Sequence, residues 1–389
     1  MAAWPVRYTI LEMIRTQGDK INVVNIGLML MSCAASFIMP FEVFLFAYAV
    51  LGPLHYLTEI SWLHDRQYFS KGKYDYLILL FIGILITWDY LSYRYHIWPY
   101  SDDEMALDRS IRLNIYEKFL LLAFLGSAVM AFVKNLAAKL VALFFLFAFL
   151  NNWLRPESDE FGNISRKEST LLYVLSAFIP TLIHVYVFTG FFILYGALKN
   201  RSRSGLLSVL VFCLCPILLV VVFRDNHFIR VSEYGMNAYG TPESNDGFFG
   251  LNKDILQRFF GYRSETNTGL SGNQKWIEFV YRSQTGILLM RCIAFAYLYH
   301  YLNWFSKTEV IKWHQVPRKR LIAVLALWVA SLAIYAYNYA VGLQWLFFLS
   351  FSHVLLEFPL NFVSIAGTGK ETLNILRKGF STPKQGALR

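Results

Sequence analysis

Four histidines and two glutamates stand where the rest of the sequence is apolar. His55, His184, His300 and His353 each lie inside a long hydrophobic run, as do Glu59 and Glu357. An ionisable side chain at bilayer depth costs roughly 2.5–3.5 kcal/mol on insertion scales, so each needs a partner or a task. The spacing points to the task. His55-Tyr-Leu-Thr-Glu59 and His353-Val-Leu-Leu-Glu357 both place a carboxylate four residues after an imidazole. In a helix that is the same face, about 6 Å away. Each such pair can supply two metal ligands, or one ligand and a carboxylate that fixes the tautomer of its ring. Four imidazoles with two carboxylates suit iron, and less distinctively zinc or copper. His55, His184, His300 and His353 are therefore the expected metal ligands, with Glu59 and Glu357 in catalytic or orienting roles.

Two other readings use the same residues. They can relay protons in a proton-coupled transporter, or bond helices together in a non-catalytic membrane subunit. His64, His96, His227 and His314 fall in loops or at interfaces and need no such explanation. His300 is the least certain member, because Asn303, Trp304 and Lys307 beside it mark an interface where the ring can be solvated.

Helices must position these side chains, and the composition says what kind. Of 389 residues 56% are hydrophobic and only 16% charged, with a mean hydropathy of +0.41. A soluble domain is usually about a quarter charged. Runs near the roughly 20 residues that cross about 30 Å of hydrocarbon recur along the chain, without the period-2 alternation of barrel strands. They predict an all-α integral membrane protein with ten spans, at 21–40, 41–63, 74–93, 113–132, 135–153, 170–198, 205–223, 284–305, 321–340 and 342–365. Met39-Pro40 separates the first two, since proline ends one helix and begins the next.

Orientation follows from Lys and Arg. The segments 1–20, 64–73, 133–140, 199–204, 306–320 and 366–389 fall on one side and carry 21 of the 36 basic residues and, with the helix-edge Asp75, six acids. The opposite side carries 14 basic residues and 18 acids. The basic side is expected to be cytoplasmic, giving an N-in/C-in protein. The chain then reads as a cytoplasmic N-terminus (1–20), seven spans (21–223), an external loop (224–283), three spans (284–365) and a basic cytoplasmic tail (366–389). A net charge of +10 gathered on that face calls for anionic lipid headgroups, not nucleic acid. The external loop is polar, with two amphipathic stretches at Asp254–Phe260 and Gln274–Tyr281 that can lie on the interface or cap the bundle.

His55, His184, His300 and His353 fall on spans 2, 6, 8 and 10, which all run outside to inside. Counting residues back from each inner end puts them in a layer about 8–21 Å below the inner boundary, at about 1.5 Å per residue. The four cysteines, Cys33, Cys213, Cys215 and Cys292, lie in apolar runs and read as packed thiols. Arg291, inside the eighth span, can snorkel outward or pair with Asp89. The aromatic residues, 17% of the chain, serve belts and packing, or line a slot for a long planar apolar substrate. Nucleotide-binding glycine loops, H-E-x-x-H and G-x-S-x-G are all absent, which excludes an ATP-driven pump as a single chain.

Gly52-Pro-Leu-His55-Tyr-Leu-Thr-Glu59 resembles an early helix motif of the Brp/Blh-type membrane carotenoid dioxygenases, in which a glycine precedes a histidine followed four residues later by an acid. The resemblance covers about ten residues, and Glu59 stands where that family usually has Asp. It implies one iron held by histidines from several helices, of which only His55 matches a motif. Together these observations predict a metal-dependent membrane oxygenase with iron as cofactor and an apolar small-molecule substrate, placed in a bacterial cytoplasmic membrane.

Overall fold

The computed structural model describes residues 17–95, 115–155, 157–158, 164–165, 169–222, 224, 229–243, 247–263, 271–307, 312 and 315–380. His96, His227, His314 and the segments 1–16 and 381–389 lie outside the described residues. Ten described helices are long and apolar enough to cross a membrane. They are α1 (Gln17–Ile38), α2 (Pro40–His64), α3 (Asp75–Tyr95), α4 (Ile115–Phe132), α5 (Leu136–Trp153), α6 (Thr170–Lys199), α7 (Arg203–Val222), α11 (Gln284–Ser306), α12 (Arg318–Tyr337) and α13 (Tyr339–Lys378). Between α7 and α11 stand three short helices, α8 (Glu233–Tyr239), α9 (Phe249–Phe260) and α10 (Gly272–Tyr281). A two-residue antiparallel pair, Glu157–Ser158 with Ile164–Ser165, closes one turn.

Proline and small polar residues set the boundaries. Met39 leaves the helical region (φ −138°, ψ 65°) and Pro40 opens α2, as the sequence predicts. Asn135, Ser169, Ser202 and Asn338 cap α5, α6, α7 and α13 with their side chains. Asn338 also splits the tyrosine triplet, so Tyr335 and Tyr337 end α12 and Tyr339 begins α13. Helix α13 is 40 residues long. At about 1.5 Å per residue it reaches about 60 Å, twice the hydrocarbon thickness. Its polar continuation past residue 365, where the sequence places the basic tail, stays helical to Lys378.

Burial sorts the helices into centre and rim. The apolar stretch of α11 is 72% buried within the protein and that of α13 61%, against 11% for α5 and 17% for α12. Helices α2, α11, α6 and α13 pack in a closed ring, α2 on α11, α11 on α6, α6 on α13 and α13 on α2. Outside it, α1 and α7 pack along α11 and α6, α3 and α4 along α13, α12 along α2 and α13, and α5 on α4.

Three ion pairs tie one end of the bundle together: Lys139 to Asp75 at 2.5 Å, Arg201 to Glu371 at 2.9 Å and Arg320 to Asp65 at 2.7 Å. Five of the six residues belong to the segments that the basic-residue alternation assigns to one side, and Asp75 stands at the helix edge next to one of them. At the other end Glu42 Oε1 accepts from the Ser232 backbone N–H and hydroxyl at 3.0 Å. The intervening segment is therefore part of the core. Tyr239 is fully buried against Phe41, Phe44 and Tyr281, and both amphipathic stretches are helices, α9 and α10, packed on α11.

Candidate metal centre

Each of the four helices in the central ring carries one of the intramembrane histidines. Two are locally unwound. Residues Ala47–Leu51 of α2 and Val174–Phe188 of α6 form π-helical turns, next to Pro53 and around Pro180. Proline offers no N–H to the ladder, and wider turns let its neighbours find other carbonyls. His55 follows the first of these stretches by one turn and His184 lies within the second.

The four imidazoles form a closed ring in helix order. Centroid distances run 4.7 Å from His55 to His300, 4.9 Å from His300 to His184, 5.1 Å from His184 to His353 and 5.4 Å from His353 to His55. All four residues are at most 5% exposed. The depth spread expected from sequence collapses, because the helices do not end at one level: His184 and His300 are neighbours although α6 runs on to Lys199 and α11 stops at Ser306. His300 is enclosed, not solvated at an interface.

Their Nε2 atoms face one another. His300 Nε2 lies 3.0 Å from His55 Nε2, and His353 Nε2 lies 3.2 Å from His184 Nε2. The far nitrogen of His300 is anchored, with Nδ1 2.8 Å from Thr189 Oγ1 on α6. His184 Nδ1 faces Glu357 Oε2 at 3.3 Å. His55 differs, because Glu59 Oε2 approaches its Nε2 at 3.0 Å, the same nitrogen that faces His300. The two H-x-x-x-E pairs are thus unequal. Glu59 serves the histidine of its own helix, and Glu357 serves His184 on α6. The two carboxyl groups also come within hydrogen-bonding reach of each other.

The donor set fits a metal ion. Donor atoms of His55, His184 and His300 lie within 4.8 Å of one another, as do those of His55, Glu59 and His353. Ligand bonds of about 2.0–2.2 Å place two donors about 2.8–3.1 Å apart at a right angle and about 3.3–3.6 Å apart at a tetrahedral one. The observed 3.0 and 3.2 Å fall in that range. An N–H···N hydrogen bond has the same length, so the pair distances alone do not decide. The carboxylates add weight. Glu59 Oε2 and Glu357 Oε2 are buried with an imidazole nitrogen beside each, at 3.0 and 3.3 Å. Burying two carboxylates is expensive, and a cation beside them offsets that cost. Buried His/Glu groups here could hold a metal ion.

The surroundings include residues that carry no sequence signal of their own. Tyr56 stacks on His353, with centroids 4.2 Å apart and planes at 23°, and its hydroxyl meets that of Tyr301 at 2.9 Å. Gly52 makes room for them: a Cβ there would stand 2.8 Å from Tyr56 Oη and 3.4 Å from Tyr301 Oη. Thr189 lies on another helix from the ring it anchors. On the side away from the external segment, the half-buried Lys307 ammonium is held down to about 8 by desolvation, with Glu357 and Glu59 pulling the other way. Arg291 is fully buried and does not snorkel; its Nε donates to Phe37 O at 3.1 Å, and its guanidinium covers the Phe37 ring.

A chamber of about 510 Å³ opens onto His184 and His353. Tyrosines and phenylalanines dominate its wall, which includes Gly247 and Phe248 of the segment between α7 and α11. Cys33, Cys213, Cys215 and Cys292 are free thiols, with Cys215 buried and Cys213 facing outward as their spacing requires. No protein-family model, curated protein or solved structure matches this chain.

Proposed function

We propose that this chain is a metal-dependent membrane oxidoreductase, with iron as the best-suited metal, acting on a lipid-soluble substrate. The observation that carries this reading is the closed ring of four buried imidazoles, paired Nε2 to Nε2, with Glu59 beside His55 in one helix-walled site. His55, His184, His300 and His353 would hold the ion, with Glu59 as a further oxygen donor and Glu357 fixing the ring of His184. Iron held by these residues would supply redox chemistry toward dioxygen. The protein's own part is to hold the imidazoles in orientation, exclude bulk water and admit substrate through the aromatic chamber. The likeness around Gly52–Glu59 to Brp/Blh-type dioxygenases supports the same chemistry. The basic-residue asymmetry supports placing both termini in the cytoplasm, next to anionic headgroups, and a bacterial cytoplasmic membrane is the proposed location.

The test is dioxygen uptake by purified, iron-loaded protein supplied with an apolar lipid extract. Uptake that requires both extract and iron, and that disappears in His353→Ala, is expected. Metal-loaded protein that consumes no dioxygen with any fraction would refute the oxygenase reading. A second reading is favoured by the 3.0 Å and 3.2 Å nitrogen pairs, which also suit shared protons in a relay. It requires no metal, and proton flux in vesicles that follows His55 and His300 would support it.

A further inference from the structure

The chamber beside His184 and His353 is apolar over most of its wall but holds a band of hydroxyls. Tyr56 and Tyr301 share a hydrogen bond of 2.9 Å, and Tyr48 and Ser350 share one of 3.1 Å. All four residues line the chamber. The two pairs are joined, because Tyr56 also lies within hydrogen-bonding reach of Tyr48 and Ser350, so the four hydroxyls form one network whose protons can turn toward a ligand in the chamber. A fifth phenol next to Tyr48, Tyr56 and Tyr301, that of Tyr335, is buried with no hydrogen-bond partner at all. Asp89 also lines the chamber, but it has interactions of its own.

Hydroxyls that must be desolvated against a ligand with no acceptor cost free energy, and a site lined by them discriminates against ligands that offer no partner. A hydrocarbon would leave them so. The volume, about 510 Å³, is that of a pocket for a compact, drug-sized molecule. Because Tyr56 stacks on His353, an atom bound at its hydroxyl lies beside the histidine cluster.

We infer that the chamber takes a compact amphiphile whose hydrogen-bond-accepting oxygen, such as a ketone or quinone carbonyl, docks on the Tyr48–Tyr56–Tyr301 hydroxyl band. Its apolar body lies against the aromatic wall. That this molecule is the substrate rests on the oxidoreductase reading; that the chamber selects an acceptor oxygen does not. The test uses a matched pair of probes, a drug-sized aryl ketone and the same skeleton with its C=O reduced to CH2, titrated calorimetrically into detergent-solubilised full-length protein. The ketone should bind about tenfold more tightly, as one added hydrogen bond allows. Tyr56→Phe with Tyr301→Phe keeps the rings and should bring the two affinities together. Tyr56→Phe alone should lose part of the preference. Equal affinities in wild type, a preference that survives the double substitution, or no binding of either probe would overturn the inference. Metal content measured on the same samples separates the two claims. Metal with no preference leaves the centre standing and the chamber inference refuted, and a preference without metal does the reverse.

Discussion

Glu357 Oε2 lies 3.3 Å from Nδ1 of His184, a residue 173 positions earlier on another helix, and not against His353 one turn before it. Glu59, in the same sequence pattern, stays with His55 at 3.0 Å. A carboxylate on the far nitrogen of a ligand orients the ring and raises its basicity, and losing it costs roughly 10- to 100-fold in affinity. Glu357→Gln should therefore keep metal but bind it in that proportion more weakly, as read by chelator competition. Complete loss of metal in this variant would make Glu357 a direct ligand.

Gly52→Ala tests the packing that seats Tyr56 against His353. The new Cβ would meet Tyr56 Oη at 2.8 Å. Overpacking of this kind costs about 1–3 kcal/mol, so thermal stability in detergent should fall. Adding Tyr56→Phe removes the nearest clashing atom and should restore part of the loss. If the double variant melts lower than Gly52→Ala alone, the account of this contact is wrong.

The Lys139–Asp75 pair tests the packing at the basic end. Both groups are buried, at 3% and 7% side-chain exposure. Removing one partner of a buried pair typically costs about 3–5 kcal/mol, whereas replacing both by apolar residues is often neutral. Asp75→Leu should melt well below wild type, and Asp75→Leu with Lys139→Leu close to it. Equal losses in both would show that the ion pair is not the source.

Lys307 offers a pH test. Desolvation lowers its ammonium from 10.5 to about 8 despite the pull of Glu357 and Glu59. Between those values the unfolded chain holds a proton that the folded one has lost, so stability rises with pH. Lys307→Met lacks this term. Its melting temperature should exceed that of wild type near pH 7, and the gap should close between pH 8 and 10.5. A gap that is flat or widens over that window would contradict the shift.

Ten spans were legible because an apolar run of the right length has few alternatives, and the intramembrane histidines stood out against it. Lateral neighbours were not legible. Nothing in His300-Tyr-Leu-Asn303-Trp304 says that α11 is the most buried helix, so an interfacial setting fitted equally well. The identical spacing of His55/Glu59 and His353/Glu357 suggested equal roles, but only packing decides which ring a carboxylate reaches. The segment between α7 and α11 read as polar loop from its composition. Of its aromatic residues, Tyr239 fills the core and Phe248 the chamber wall.

Metal content of the purified protein bears most directly on the central claim. Elemental analysis after gentle purification should find stoichiometric metal in wild type and in His64→Ala, whose side chain is 61% exposed at the bundle's end. His55→Ala, His184→Ala, His300→Ala and His353→Ala should each lose most of it while remaining folded. Well-folded wild-type protein that carries no metal and takes up none, or single histidine variants that retain it in full, would contradict the account.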